Sequence, residues 1–319
     1  MYTMRTAHPE GGARWCATNS EACTLQHNEQ METAYVQLNL SLGERLLINV
    51  DGIPSFTETS SPELNDVLSS IRTKHITPSY LRESERRLIF GTKFRQTLAD
   101  NPQVATVGEE EVPLEWMDRT REIPNRTRLL NQAVDLMAQA ESKDWQNLPA
   151  LLTGLSYARS VPGEKRMERI VRKAVLAGRL DIVVQCLQQG EHSGMNLQVE
   201  GVLERSLWGL HHLAQTNEWG KEAMSKAMVY AQKLSNLMET KHHGGGWFLR
   251  QNDPRRRPEV IGVFLELAAV YAYKHLDGKD VDGSVMMYAE RLMDCIHGKT
   301  QARAPVSYTH LTLPTKRIV

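Results

Sequence analysis

The chain has 319 residues, of which 41% are hydrophobic and 24% are charged, as is usual for a soluble globular protein. Its 38 basic residues balance its 38 acidic residues, so it lacks the overall positive charge of a general polyanion binder. Any contact with nucleic acid must therefore be local. Four cysteines are too few for a disulfide-stapled secreted protein, and we expect a reducing compartment.

The N-terminal third is polar and irregular. Residues 1–35 have no sustained apolar period, and we expect them to be disordered or to come from a doubtful gene model. The first 30 residues fit neither a secretory signal nor an acid-poor mitochondrial leader. Residues 36–126 are predicted to form an extended arm with short helices. Within it, residues 100–122 carry seven acidic and two basic residues, and we expect Leu114 and Trp116 to pack onto the helices that follow.

Residues 127–298 are predicted to form a helical-repeat domain, because apolar side chains recur there at the helical spacing. A helix pair with one apolar stripe cannot bury that stripe alone, so tandem pairs imply stacked hairpins. The fold class we predict is all-α, a right-handed α-solenoid of about four helical hairpins with an irregular N-terminal arm. The apolar stripes of the four pairs lie at 129–140 and 148–155, 167–175 and 180–187, 199–210 and 223–238, and 260–273 and 285–296.

The second pair has the clearest hairpin signature. It contains the turn Ala174-x-x-x-Gly178-x-Leu180-Asp181, and corresponding turns at Asp144, Leu180 and Glu218 are separated by 36 and 38 residues. This pattern resembles the tetratricopeptide and pentatricopeptide (TPR and PPR) families of helical hairpin repeats. The resemblance implies a protein that binds a partner on a helical surface. The irregular spacing assigns no base-reading position of the pentatricopeptide family.

The helix that begins near Glu164 is the strongest basic patch. From Arg159 to Arg179 it carries seven basic residues against Glu164 and Glu168. Side chains at the spacing of Lys165, Arg169 and Arg172 share one helix face and could hold phosphates. Two other interpretations are open, a solvated face or a docking site for the acidic segment 100–122. The candidate nucleic-acid-binding residues here are Lys165, Arg169, Arg172 and Lys173.

A second candidate site is the insertion at residues 241–257. It interleaves aromatic and basic side chains, the combination that single-stranded nucleic acid requires, since bases stack on aromatic rings and phosphates bind cations. The alternative is a flexible loop between repeats whose Trp247 enters the core. The candidate residues are Trp247, Phe248, Arg250, Arg255, Arg256 and Arg257.

No local motif for catalysis or metal binding is present in the sequence. The pairs His211-His212 and His242-His243 are adjacent in the chain, and neighbouring side chains on a helix point in different directions. We therefore predict no enzyme, no metal site and no cofactor. Trp116, Trp145, Trp208 and Trp219 are interpreted as packing between repeats.

The last segment, residues 299–319, is predicted to be a largely artefactual tail. Residues 306–315 resemble a translated sequencing adapter, with an ordinary disordered tail as the alternative. The longest apolar run, residues 260–273, is too short to span a bilayer and contains Glu266, so we expect no membrane insertion.

These observations favour a non-catalytic binding protein of helical-repeat type. The first hypothesis is a mitochondrial protein associated with RNA or with the ribosome, based on the repeat resemblance, the basic helix and the aromatic insertion. The second is a protein–protein interaction scaffold without nucleic-acid contact, which the near-zero net charge favours and which allows a cytoplasmic location. A protein partner is expected under both hypotheses.

Overall fold

Helices make up nearly all of the regular structure in the computed structural model, which describes residues 52–245 and 253–297. The predicted disordered segment 1–35 and the predicted tail 299–319 lie outside these ranges, as do Trp247, Phe248 and Arg250. Within the described ranges, no helix is both long and apolar enough to cross a lipid bilayer. The all-α fold class is therefore confirmed, with one short hairpin of strands as the exception.

The part of the arm that the structure describes, from residue 52 on, contains four α-helices and two strands. A single π-helical turn, Arg72–Ile76, links its first two helices. The helix Thr77–Tyr80 continues directly from this turn, and a new helix begins at Glu83. The elements are α1 (Pro62–Ile71), α2 (Thr77–Tyr80), α3 (Glu83–Phe90), α4 (Arg95–Asp100), β1 (Gln103–Val107) and β2 (Glu110–Leu114).

The β1–β2 hairpin was not predicted. Its strands are antiparallel, with Val107 opposite Glu110, so Gly108 and Glu109 form a two-residue loop. Gly108 has φ +63°, which suits the tight turns that join such strands. The sequence signal is short: Ala105 and Val107 alternate with exposed residues and are buried. This part of the arm is thus a hairpin instead of an irregular extended segment.

The body consists of four helical hairpins arranged in two layers. The first helices of the hairpins pack on one another in chain order, α5 on α7, α7 on α10 and α10 on α12; we call them the first layer. The second helices form the second layer, in which α6 packs on α8 and α8 on α11. The ranges are α5 (Arg126–Gln139), α6 (Leu148–Tyr157), α7 (Glu164–Leu176), α8 (Leu180–Gln188), α9 (Gly190–Ser193), α10 (Glu200–Thr216), α11 (Lys221–Glu239), α12 (Pro258–His275) and α13 (Ser284–Ile296).

The predicted apolar stripes form the core between the layers. On α7 the buried residues are Met167, Ile170, Val171, Ala174 and Val175, spaced as one helix face. Helix α8 is enclosed on nearly every side, because α6, α7, α10 and α11 all contact it. Each buried leucine or valine contributes about 1.5–3 kcal/mol relative to an exposed one, so burial of these stripes is the main force that holds the hairpins together.

Left-handed turns end the first-layer helices α7 and α10, whereas α5 ends in extended backbone at Ala140. After α7, Gly178 has φ +72° and its N–H donates to the carbonyl of Val175, while Arg179 donates to Ala174, the pattern of a glycine-ended helix. After α10 the same role falls to Glu218 and Trp219, with φ +54° and +58°. Helix α12 contacts this turn, since His275 Nε2 lies 3.0 Å from the Trp219 carbonyl oxygen.

The arm is fixed to the body at the first hairpin. The buried Asn147 side chain accepts hydrogen bonds from the backbone N–H and the hydroxyl of Thr57 and donates one to the Thr57 carbonyl. The buried carboxylate of Asp144 accepts hydrogen bonds from the backbone N–H and hydroxyl of Ser60. Helix α1 packs against α5. The arm therefore extends the first layer at the start of the body.

Candidate nucleic-acid interface

The outward face of α7 carries two kinds of basic residue. Arg169 and Lys173 both bind the carboxylate of Asp135 on α5, at 2.7 and 2.5 Å. Burial raises the pKa of Asp135, but the hydrogen bonds from Lys173 and Arg169 outweigh this, so its pKa lies below the usual value. Two of the four cations predicted to bind phosphate are thus already neutralised within the fold.

The remaining cations of α7 face solvent. Lys165, Arg166 and Arg172 are exposed, and none of their side chains has an ion pair or hydrogen bond with another described residue. Lys165 and Arg172 are seven positions apart, which places them on the same side of the helix. This pair is the part of the predicted patch that is free to bind an anion.

The acidic segment 100–122 does not dock on α7, so that interpretation of the charge balance is wrong. Its Glu110 binds Arg72, with Nη2 and Oε2 2.6 Å apart. Its Trp116 donates to the Gly91 carbonyl and lies under the guanidinium of Arg95. Leu114 is buried, but Trp116 contacts the helices before the segment and not, as expected, those that follow it. The segment packs on the arm's own helices because β2 contacts α3.

Ion pairs bridge the seams between first-layer helices in chain order. Besides the Asp135 cluster, Glu168 of α7 binds Arg205 of α10 at 3.1 Å. Glu200 at the start of α10 binds Arg257 at the start of α12 at 3.0 Å. Exposed pairs of this kind contribute about 0.2–1 kcal/mol each. Arg257, another predicted phosphate ligand, is therefore engaged in a seam.

The structure contradicts the prediction that Arg255 binds nucleic acid. Its side chain is 1% exposed and binds the buried Asp253 carboxylate through Nε at 2.9 Å and Nη2 at 2.6 Å. The carbonyl of Arg255 also accepts a hydrogen bond from Arg291 of α13. Arg255 therefore holds the start of α12 against α13 and cannot reach a phosphate. Arg256 is partly exposed, and no described residue pairs with it.

The histidines beside the insertion are structural. His243 is buried, its Nδ1 accepts the Leu197 N–H at 3.2 Å, and its Nε2 donates to the Leu187 carbonyl at 2.9 Å. Burial lowers the pKa of His243, which keeps the ring neutral. The His242 ring lies against Gly190, where an added Cβ would approach Cδ2 of His242 to 2.6 Å. The pair thus closes the loop after α9 onto the end of α11.

The interpretation of all four tryptophans as packing between repeats is wrong for Trp208, and also for Trp116, which packs within the arm. Trp145 is fully buried, and Trp219 contacts His211 edge-on. Trp208 lies in the middle of α10, is 37% exposed, and stacks on His212 with ring centroids 4.6 Å apart and planes 14° from parallel. The predicted apolar stripe stops at Leu210, whereas α10 continues to Thr216, so the stripe did not show that Trp208 lies in the middle of the helix.

A comparison with protein-family models identifies one family. The model described as mitochondrial ribosomal protein mS27 (Mrp13) matches residues 45–316 of this chain. The match includes residues 306–315, so the suggestion that this segment derives from a sequencing adapter finds no support.

Among curated proteins, the small ribosomal subunit protein mS27 of Neurospora crassa is 26% identical over 187 residues. The aligned part covers 59% of this chain and 47% of that protein, so the chain spans about half the length of the curated relative it matches. These similarities confirm the predictions of a mitochondrial location and of a protein that is not an enzyme. With more than half of its residues matched by the family model, the chain belongs to the mitochondrial ribosomal protein mS27 family.

Proposed function

We propose that this protein is a non-catalytic component of the small subunit of the mitochondrial ribosome and contacts ribosomal RNA through the outward side of its first layer. The name of the Neurospora crassa relative supports the place in the small subunit. The observation that carries the RNA contact is the trio of exposed cations on α7, Lys165, Arg166 and Arg172, which no described residue neutralises.

The arrangement of the helices supports a repeat architecture of the tetratricopeptide or pentatricopeptide type. First-layer helices pack on first-layer helices, and second-layer helices on second-layer helices. Such stacking presents equivalent positions of successive helices side by side on one surface. A polyanion chain that runs across the layer would meet several helices in turn. The domain boundaries at 36–126 and 127–298 remain part of this proposal.

The predicted RNA-binding residues take different roles in this proposal. Lys165 and Arg172 bind phosphates directly, since they are exposed on one side of α7. Arg169 and Lys173 support the α5–α7 seam through Asp135 and contribute less positive potential. Arg256 is a peripheral phosphate ligand. Trp247, Phe248 and Arg250 remain candidates for contact with RNA.

The test measures binding of the purified chain to small-subunit ribosomal RNA across a salt series. Each phosphate contact that is lost should lower the slope of log affinity against log salt by about 0.7–0.9. Lys165→Ala with Arg172→Ala should therefore flatten the slope by about 1.4–1.8. The matched control is Lys221→Ala with Lys226→Ala, which removes equal charge from exposed positions on α11. Binding that is insensitive to salt, or equal effects of both double variants, contradicts the proposal.

A protein-binding role remains a second candidate, since the β1–β2 hairpin exposes Glu109 and Glu111 and the chain has no net charge. Cross-linking from position 165 or 172 in assembled small subunits separates the two candidates. Cross-links to RNA support the RNA contact. Cross-links only to proteins support the scaffold.

A further inference from the structure

We infer that Trp208 and His212 form a stacking platform for an unpaired RNA base, next to a phosphate site at Arg172. This inference rests on the proposed RNA contact and narrows it to single-stranded RNA. It gives a function to an aromatic pair that the sequence pattern assigned to packing.

The first observation is the exposure of a large aromatic side chain in the middle of a helix. Trp208 is 37% exposed, although neighbouring positions Leu207 and Leu210 are buried in the core. The ring lies nearly parallel to that of His212, one turn further along the helix. Stacking holds both rings in a fixed orientation, which reduces the entropy lost when a flat ligand binds.

The second observation is that Trp208 and Arg172 lie at the same level on neighbouring helices. Glu168 and Val175 flank Arg172 on α7. Glu168 binds Arg205 and lies against Gly201, whereas Val175 lies against Gly209. Those contacts flank Trp208 on α10, and packed helices are about 8–10 Å apart. An exposed cation and an exposed aromatic pair are thus neighbours on one surface.

The third observation concerns the surroundings of the two sites. Leu176, one turn after Arg172, is 60% exposed and provides an apolar edge at the level of His212. Glu204, one turn before Trp208, is exposed and opposes a bound phosphate. The cations Lys165 and Arg166 extend the positive surface along α7. The surface therefore has a positive part on α7 and an aromatic part on α10.

This combination selects unpaired nucleotides. In a duplex the base faces are stacked on one another and cannot reach a protein ring, whereas single-stranded bases stack on aromatic side chains without strict sequence preference. Loss of one such stacking contact typically weakens binding about 5- to 150-fold. Cations beside the ring hold the backbone that connects successive bases.

The experiment compares an unstructured RNA of about 12 nucleotides with a duplex that carries the same number of phosphates, a length within the range of known single-strand sites. Trp208→Leu should weaken binding of the single strand at least about 5-fold and leave duplex binding and the salt slope unchanged. Trp208→Phe should restore most of the affinity because it keeps an aromatic face. Glu204→Gln should strengthen binding of both RNAs.

Arg172→Ala separates the two levels of the proposal, because it should lower the salt slope by about 0.7 for the single strand. If Arg172→Ala has this effect but Trp208→Leu has none, the stacking platform is wrong and the RNA contact stands. Absence of salt-dependent RNA binding by the unaltered chain overturns both. A cross-link from position 208 to a ribosomal protein in assembled subunits also overturns the platform. Thermal melting of Trp208→Leu shows whether the variant is folded.

Discussion

Helix α7 and the segment 253–257 are both strongly basic, yet the fold places their cations in opposite environments. On α7, Lys165, Arg166 and Arg172 face solvent without a described partner. In the segment, Arg255 is buried against Asp253 and Arg257 pairs with Glu200. Equal density of positive charge in a sequence therefore does not mean equal availability to a polyanion. The α7 cations should govern binding, whereas those of residues 253–257 should govern stability.

The largest expected effect is a loss of stability when the buried Arg255 is replaced. Arg255→Ala should lower the free energy of unfolding by about 3–5 kcal/mol, because the Asp253 carboxylate is left buried without its charge partner. Urea denaturation monitored by circular dichroism measures this change. Arg256→Ala is the matched control, since Arg256 is partly exposed and should change stability by less than about 0.5 kcal/mol.

A double variant sharpens the Arg255 test. Asp253→Ala combined with Arg255→Ala removes both charges, so it should cost less than the sum of the two single changes. Equal stability of Arg255→Ala and the unaltered chain would show that the ion pair does not hold α12 in place.

The buried His243 should make the stability of the fold depend on pH. The pKa of His243 is lowered in the folded state because burial disfavours the charged ring, and the unfolded value is about 6.5. The unfolded chain then binds the additional proton, so stability is complete above pH 6.5 and falls as the pH drops below it. His243→Gln should lower stability at neutral pH by about 1–3 kcal/mol through weakened backbone hydrogen bonds, and should reduce the fall in acid.

Urea midpoints above and below pH 6.5 measure this dependence. His75, whose pKa is also lowered by burial and by Arg126, should leave part of the dependence in His243→Gln. His192→Gln is the matched control, because His192 is exposed and its loss should leave the pH dependence unchanged. An unchanged pH profile in His243→Gln contradicts the role of the buried ring.

The smallest expected effect on stability is at the partly exposed ion pairs of the α5–α7 seam. Asp135→Asn breaks the ion pairs with Arg169 and Lys173, at a cost of about 1 kcal/mol or less because these side chains are partly exposed. The two released cations should strengthen RNA binding at low salt and steepen its salt dependence. Filter binding across a salt series measures the change. Weaker RNA binding by Asp135→Asn would place the RNA contact elsewhere.

Elements with a strong period could be predicted from the sequence. The apolar stripes of α7 and α8 and the glycine turn at Gly178 indicate a hairpin because apolar residues recur at the helical spacing on both sides of the turn. The β1–β2 hairpin was missed because each strand has only five residues and its buried apolar side chains are only Ala105, Val107 and Leu114. Such a short alternation is indistinguishable from an irregular segment.

The candidate site was only partly predictable for a related reason. The spacing of Lys165 and Arg172 shows that they share a helix side. It does not show that Asp135, 34 residues from Arg169 in the chain, pairs with Arg169 and Lys173. Segment 253–257 is too short to show a periodic apolar pattern, so the sequence does not reveal that Arg255 is buried. The role of Trp208 was misjudged because α10 continues past Leu210, the last position of the predicted apolar stripe.

The turn after α10 has a consequence for the order in which the body opens. Glu218 and Trp219 hold left-handed backbone angles that cost L residues about 1–2 kcal/mol each, whereas Gly178 in the preceding hairpin avoids this cost. The turn is retained by contacts from α12, through His275 to Trp219 and Lys274 to Glu218. Detachment of α12 therefore releases stored strain, and amide protons around Glu218 should exchange with solvent together with those of α12, earlier than those of α8.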